Sequence, residues 1–258
     1  MRSPNTWLRI GAAFALLLAL VVPVGAESPQ MELGLGVGMV PDYEGSDDYE
    51  AVPLLHARVK WDSGRYVNFT GNVLAANLLA GDTWELGPMA QLIGERDDVD
   101  SDAVDAMEEV DTSVMTGIFG RWKIGDAYLR AHALQDLADG NDGFVFQVGG
   151  GWNWRMSPTF RMTLDVFTTW ADDDYMEAYF EVDAADALRS GLPAYDADSG
   201  FKDLGVNLTT RCSPWEHWNF LGLFGYSRLV EDAEDSPVVD DEGDANQFRA
   251  GLIVVYDF

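Results

Sequence analysis

The chain of 258 residues has one cysteine, three histidines and only 16 Lys+Arg against 44 Asp+Glu. A single cysteine excludes a disulfide framework and any cysteine-based metal site. Three scattered histidines leave no histidine-rich metal centre to build. A formal charge of -28 excludes a nucleic-acid binder that works by neutralising phosphates, which needs a basic face. Beyond residue 26 no apolar run is long enough for a membrane-spanning helix. Catalytic signatures are missing too: His56, His132 and His217 stand apart, with no nucleophile and base in a recognisable pattern. No cofactor motif is present, because Gly34, Gly36 and Gly38 and the run Gly149–Gly151 lack the Lys-Ser/Thr and helix that a phosphate cradle requires. The stretch Asp98, Asp100, Asp102 and Glu109 has the acid spacing of a calcium loop, but Ala103 stands where such a loop needs glycine. It reads as solvated acidic loop, and no metal site is expected.

What is present begins with a leader. Arg2 and Arg9 flank an uncharged apolar run, Ile10 to Val22, followed by Val24-Gly25-Ala26. This is the pattern of a secretory signal peptide over residues 1–26, with cleavage after Ala26. The mature domain, residues 27–258, then keeps all 44 acids and is exported.

The mature chain alternates with period 2. Met31, Leu33, Leu35, Val37 and Met39 interleave with Glu32 and three glycines, and Phe144 to Trp154, Phe160 to Val166 and Leu204 to Leu208 repeat the pattern. Alternation puts one face on apolar surroundings and the other on polar ones. The stretches run to about 10 residues, the length of a strand that crosses a bilayer. An exported chain without an apolar helix crosses a membrane only as a closed barrel. Connections alternate between short turns and long acidic segments, at 41–50, 95–111, 172–200 and 230–246. The expected strands are 31–40, 50–61, 65–70, 72–80, 83–94, 112–123, 127–137, 144–154, 159–171, 202–212, 217–229 and 246–258. Twelve antiparallel strands place both termini in the periplasm and the long loops outside. Trp61, Trp84, Trp122, Trp152, Trp154, Trp215 and Trp218 gather at the periplasmic ends, as an interfacial girdle requires, and only Trp170 falls at the outer end. Asp183 to Arg189, ended by Gly191, is expected as a short helix in the longest loop.

Inside such a barrel Arg58, Lys60, Arg130, Arg161, Arg211 and Arg249 face the lumen with Asp165, Asp203 and Asp257. That network plugs a narrow pore or selects ions. The alternation Phe248, Ala250, Leu252, Val254, Tyr256, Phe258 ends on an aromatic carboxylate. By its resemblance to outer-membrane barrels, this end, Tyr256 and Phe258 above all, is the expected assembly signal.

An ordered set of segments resembles the MipA/OmpV family of outer-membrane proteins. It comprises Gly36-Val37-Gly38-Met39-Val40-Pro41-Asp42-Tyr43-Glu44-Gly45-Ser46, Leu86-Gly87-Pro88, Gly94-Glu95-Arg96-Asp97-Asp98, Tyr179-Phe180-Glu181-Val182, Ser190-Gly191-Leu192-Pro193-Ala194-Tyr195, Gly200-Phe201-Lys202-Asp203-Leu204-Gly205 and Tyr226-Ser227-Arg228-Leu229. The resemblance spans essentially the whole mature chain. It implies an outer-membrane barrel in contact with lipid and lipopolysaccharide. It further implies a non-enzymatic scaffold between a lytic murein transglycosylase and a murein synthase, and it brings no catalytic residues to carry over. The alternatives to a scaffold are a narrow channel for small solutes or an adhesin.

Overall fold

The computed structural model describes residues 29–138 and 140–258. The expected signal segment, 1–26, lies outside the described residues, as does the start of the mature chain at Glu27. The remaining chain forms twelve strands: β1 (Gln30–Pro41), β2 (Tyr49–Lys60), β3 (Tyr66–Thr70), β4 (Val73–Asn77), β5 (Trp84–Ile93), β6 (Ser113–Ile124), β7 (Ala127–Asp136), β8 (Phe144–Arg155), β9 (Phe160–Ala171), β10 (Gly200–Cys212), β11 (Trp218–Leu229) and β12 (Asn246–Asp257). Each pairs antiparallel with its sequence neighbours, and β1 closes on β12 from Glu32 opposite Asp257 to Met39 opposite Ala250. The ring leaves no lateral edge at this seam, so the ladder hydrogen bonds across it are satisfied within the sheet. Among the described residues no helix is long and apolar enough to cross a membrane.

The period-2 sequence sets the faces. Leu33, Leu35 and Val37 point outward, Leu35 with 69% of its surface exposed, while Gly34, Gly36 and Gly38 line the inside. At the end with the short turns, Trp84 stacks on Trp122 with ring centroids 5.4 Å apart. There Trp218 and Phe258 both meet the Tyr256 ring edge-on. This aromatic band lies at the end expected to face the periplasm, as an interfacial girdle.

The hairpin expected around Gly71 is present, with Gly71 at φ 61. Its second strand ends at Asn77 rather than at residue 80. The Asn77 side chain replaces the ladder: Oδ1 accepts from the Leu79 and Leu86 amides at 3.2 and 3.0 Å, and Nδ2 donates to the Gly64 carbonyl at 3.1 Å. A backbone so satisfied by a side chain can leave the sheet early. β4 is thus short, and the turn at Gly71 stops β3 at Thr70, so β2 pairs with β3 only from His56 to Lys60. From Ala51 to Leu54, β2 has no ladder partner on that side among the described residues.

Five helices lie in the long loops: α1 (Asp102–Asp105), α2 (Asp173–Phe180), α3 (Ala184–Ser190), α4 (Asp232–Asp235) and α5 (Pro237–Asp240). α3 matches the expected helix. The Asp183 carboxylate accepts from the Asp186 amide at 2.6 Å, and Gly191 ends it in the left-handed region at φ 82. Asp172 caps α2 the same way, accepting from the Tyr175 amide at 3.1 Å.

Candidate functional site

The barrel interior is built in two levels. Toward the periplasm it is polar. Arg130 on β7 reaches across β8 to Asp165 on β9, with Nε 2.9 Å from Oδ2, and Tyr128 donates to the same carboxylate at 2.9 Å. The remaining Arg130 nitrogen Nη1 donates to Gln147 at 2.6 Å. Tyr128 lies against Gly151, where a Cβ would stand 2.5 Å from its hydroxyl, so only glycine lets the ring pass. A second knot joins Glu85 to Arg121 at 3.2 Å, Lys123 at 2.5 Å and the Tyr66 hydroxyl at 3.0 Å. A third joins Arg211 to Glu32 at 2.8 Å and to Asp257 at 3.2 Å, and His56 stands 3.2 Å from Glu32. Against these a wall of Leu54, Leu221, Leu223, Ile253 and Val255 keeps one side of the lumen apolar.

The expected lumen residues therefore divide. Arg130 meets Asp165, and Arg211 meets Asp257. Arg58 lies over the Tyr66 ring at 5.1 Å, and its Nε is buried without an acceptor. Arg161 stands opposite Arg211 in the ladder, and neither Arg161 nor Arg249 has an acid partner among the described residues. Asp203 does not face these arginines. A register shift between Phe201 and Asp203 turns Lys202 inward as well, and the Lys202 ammonium pairs with Asp203 at 2.9 Å and with Glu44. Such a bulge has no signature in the alternation, so Lys202 and Glu44 were not legible as partners. Glu32 was missed, although its place on the inward parity of β1 marks it. His132 lies on the lumen face opposite Gln147. Of the assembly-signal residues, the Phe258 amide donates to the Met31 carbonyl at 3.0 Å, and Tyr256 pairs with Leu33 across the seam.

Above Lys202 the outer mouth is covered. Tyr175, Met176, Tyr179 and Phe180 of α2 pack with Ala233 and Val239 of the last long loop on Met115, Leu134, Val145 and Leu229 at the strand tops. Phe180 is wholly buried. A second cluster joins Tyr43, Val104, Met107, Val182, Leu192 and Val238 from all four long loops. Arg96 pins these segments by donating to the Tyr179 and Glu108 carbonyls, both at 3.1 Å, and burial lowers its pKa. Ser236 donates to the Phe180 carbonyl at 2.6 Å. Burial raises the Tyr175 phenol well above its ordinary value, reinforced by Glu44, whose carboxylate it meets at 2.7 Å. Burial raises Tyr179 as well.

Among the described residues no three His, Cys, Asp or Glu side chains gather as a cation would require, and the Asp98–Glu109 stretch folds around α1. Such an interior can hold charge and position polar ligands.

The sequence profile described as MltA-interacting protein MipA matches residues 33–258. The chain belongs to this family. The chain is similar to the Escherichia coli K12 protein YiaT, named as an outer membrane protein, with 25% identity over 236 residues, 87% of this chain and 92% of that one. It is 21% identical over 229 residues to the MltA-interacting protein of the same organism, covering 88% of this chain and 91% of that one. Among solved structures, an outer membrane channel of Pseudomonas putida F1 aligns over 92% of this chain and all of that one, with a TM-score of 0.47 and 11% identity. The protein is a closed twelve-stranded outer-membrane barrel of the MipA family.

Proposed function

We propose that this protein is a non-enzymatic interaction protein of the outer membrane, a capped barrel that presents its periplasmic end to partners. The observation that carries this reading is the cap. Three long loops bury an apolar core across the outer mouth, with Phe180 at its centre. A pore for solutes needs a wetted path at both ends, and a packed apolar layer works against one. The name of the MltA-interacting relative supports a murein transglycosylase as one partner class. A murein synthase is the second partner of the scaffold that the family suggests. The lipid-facing belt of Leu33, Leu35 and Val37 fits contact with outer-membrane lipid and lipopolysaccharide.

A channel is the competing reading, and the charged lumen favours it. Planar-bilayer recording separates the two. The purified protein is expected to give no unitary conductance steps, while cross-linking in intact envelopes is expected to capture a murein hydrolase at the periplasmic turns. Steady conductance by the intact chain would replace the scaffold reading with the channel.

A further inference from the structure

We propose that the periplasmic mouth of the lumen is a binding site for a small oxyanion carrying two negative charges. The site is a cavity of about 270 Å³ whose charged lining is Glu32, Arg58, Lys60, Arg161, Arg211 and Asp257, with Ser213 and Asn219 on its wall. Four cations thus face two acids. Both acids are held by Arg211, at 2.8 and 3.2 Å. Arg58 stands opposite Glu32 in the ladder without a direct ion pair, and Lys60 and Arg161 have no acid partner among the described residues, which leaves the cavity with two more cations than acids.

A second observation points the same way. Two buried donors in the lining have no acceptor: Arg58 Nε and Asn219 Nδ2. Asn219 is only 2% exposed, and its Oδ1 is taken by the Ser213 hydroxyl, so its amide nitrogen is the free end. Buried donors are costly to leave unpaired, and an oxygen-rich ligand satisfies them. Guanidinium forks match phosphate and carboxylate oxygens in pairs. The surplus of two positive charges selects a dianion over a monoanion. The cavity admits a phosphate group or a short dicarboxylate. All this sits in a chain of formal charge -28. Low-dielectric walls focus such a local positive field on anions that reach the periplasmic face.

The inference is independent of whether the barrel conducts. It is tested by titration calorimetry on the full folded chain in detergent, with inorganic phosphate, succinate and the uncharged succinamide as probes. Saturable binding of phosphate or succinate, but not of succinamide, is expected, and the preferred dianion identifies the ligand class. Lys60→Gln and Arg161→Gln, both at exposed positions that leave the Arg211 knot intact, are each expected to weaken binding about tenfold, the loss of one charge-assisted hydrogen bond. Arg228→Gln, on the far side of the molecule, is expected to change nothing. Heat-modifiable migration on gels checks that every variant has folded. Absence of saturable binding by both dianions, or unchanged affinity in both lumen variants, overturns the proposal.

Discussion

Lys202 is a buried ammonium between two carboxylates, Asp203 and Glu44, with the Tyr175 ring 5.4 Å from its nitrogen. A buried pair gains little over an apolar substitute, but removing one partner strands the other's charge. Lys202→Met strands two. It is expected to cost about 3–5 kcal/mol, the range for breaking a buried pair, read as a lower thermal midpoint by circular dichroism. Glu44→Gln with Lys202→Met is expected to recover part of the loss. This cluster was hidden in the sequence because it depends on the bulge at Lys202 and on a loop residue more than 150 positions away. Arg130 and Asp165 were readable because both sit on clean alternating strands, where parity alone gives the face. Arg161 was readable as inward but not as unpaired, because pairing depends on register.

At the level of elements, strands with strict alternation were legible to within a residue or two, and β4 was not. Its apolar run continues to Leu79, but one polar side chain, Asn77, ends the ladder. α3 announced itself by Asp183, two alanines and Gly191. α2 did not, since Tyr175, Met176, Tyr179 and Phe180 mark the buried face of a helix only once there is something to bury them against. The last strand carries its own prediction. Phe258 closes an aromatic group with Tyr256 and Trp218, and its amide bonds to Met31 across the seam. Deleting Phe258 removes the terminal aromatic of the assembly signal and one seam bond. We expect the truncated protein to fall several-fold in the outer-membrane fraction, measured by fractionation and immunoblotting. Normal levels there would show that the terminal aromatic is dispensable.

For the whole molecule, composition told of charge and not of how it is held. The four long loops carry 31 of the 44 acids. Repulsion alone would splay them at low ionic strength. The structure adds an apolar core beneath them, drawn from residues far apart in the chain, which no local pattern reveals. Phenols share in that core. Burial raises Tyr43, Tyr175 and Tyr179, and pushes Tyr195 up to about 12, with Asp232 as the next cause. In the opened cap these phenols titrate at about 10. Their contribution is therefore intact below about pH 10 and is lost as the pH rises toward the folded values, because the open state releases protons first. Limited proteolysis is expected to cut the loops progressively above pH 10 while the barrel still migrates as folded.

The low β3–β4 hairpin gives the wall unequal mechanics. At its periplasmic level the wall is joined on both sides of the hairpin, by the β2–β3 ladder from His56 to Lys60 and by Asn77 and the Leu78 amide on Leu86, but at the outer level it is split beside β2. Gly71 donates to the Leu55 carbonyl, so by alternation Ala51 and Pro53 turn their backbone toward the split, and Pro53 has no N–H to leave stranded there. A split hoop can spread without tearing a hydrogen-bond ladder. What spans the break is loop on loop: the Asp100 amide donates to the Asp42 carboxylate at 2.9 Å, and Tyr43 packs with Val104 and Met107. The cap is thus a clasp on the rim as well as a cover, and releasing it would loosen the barrel on one side, at one height in the membrane.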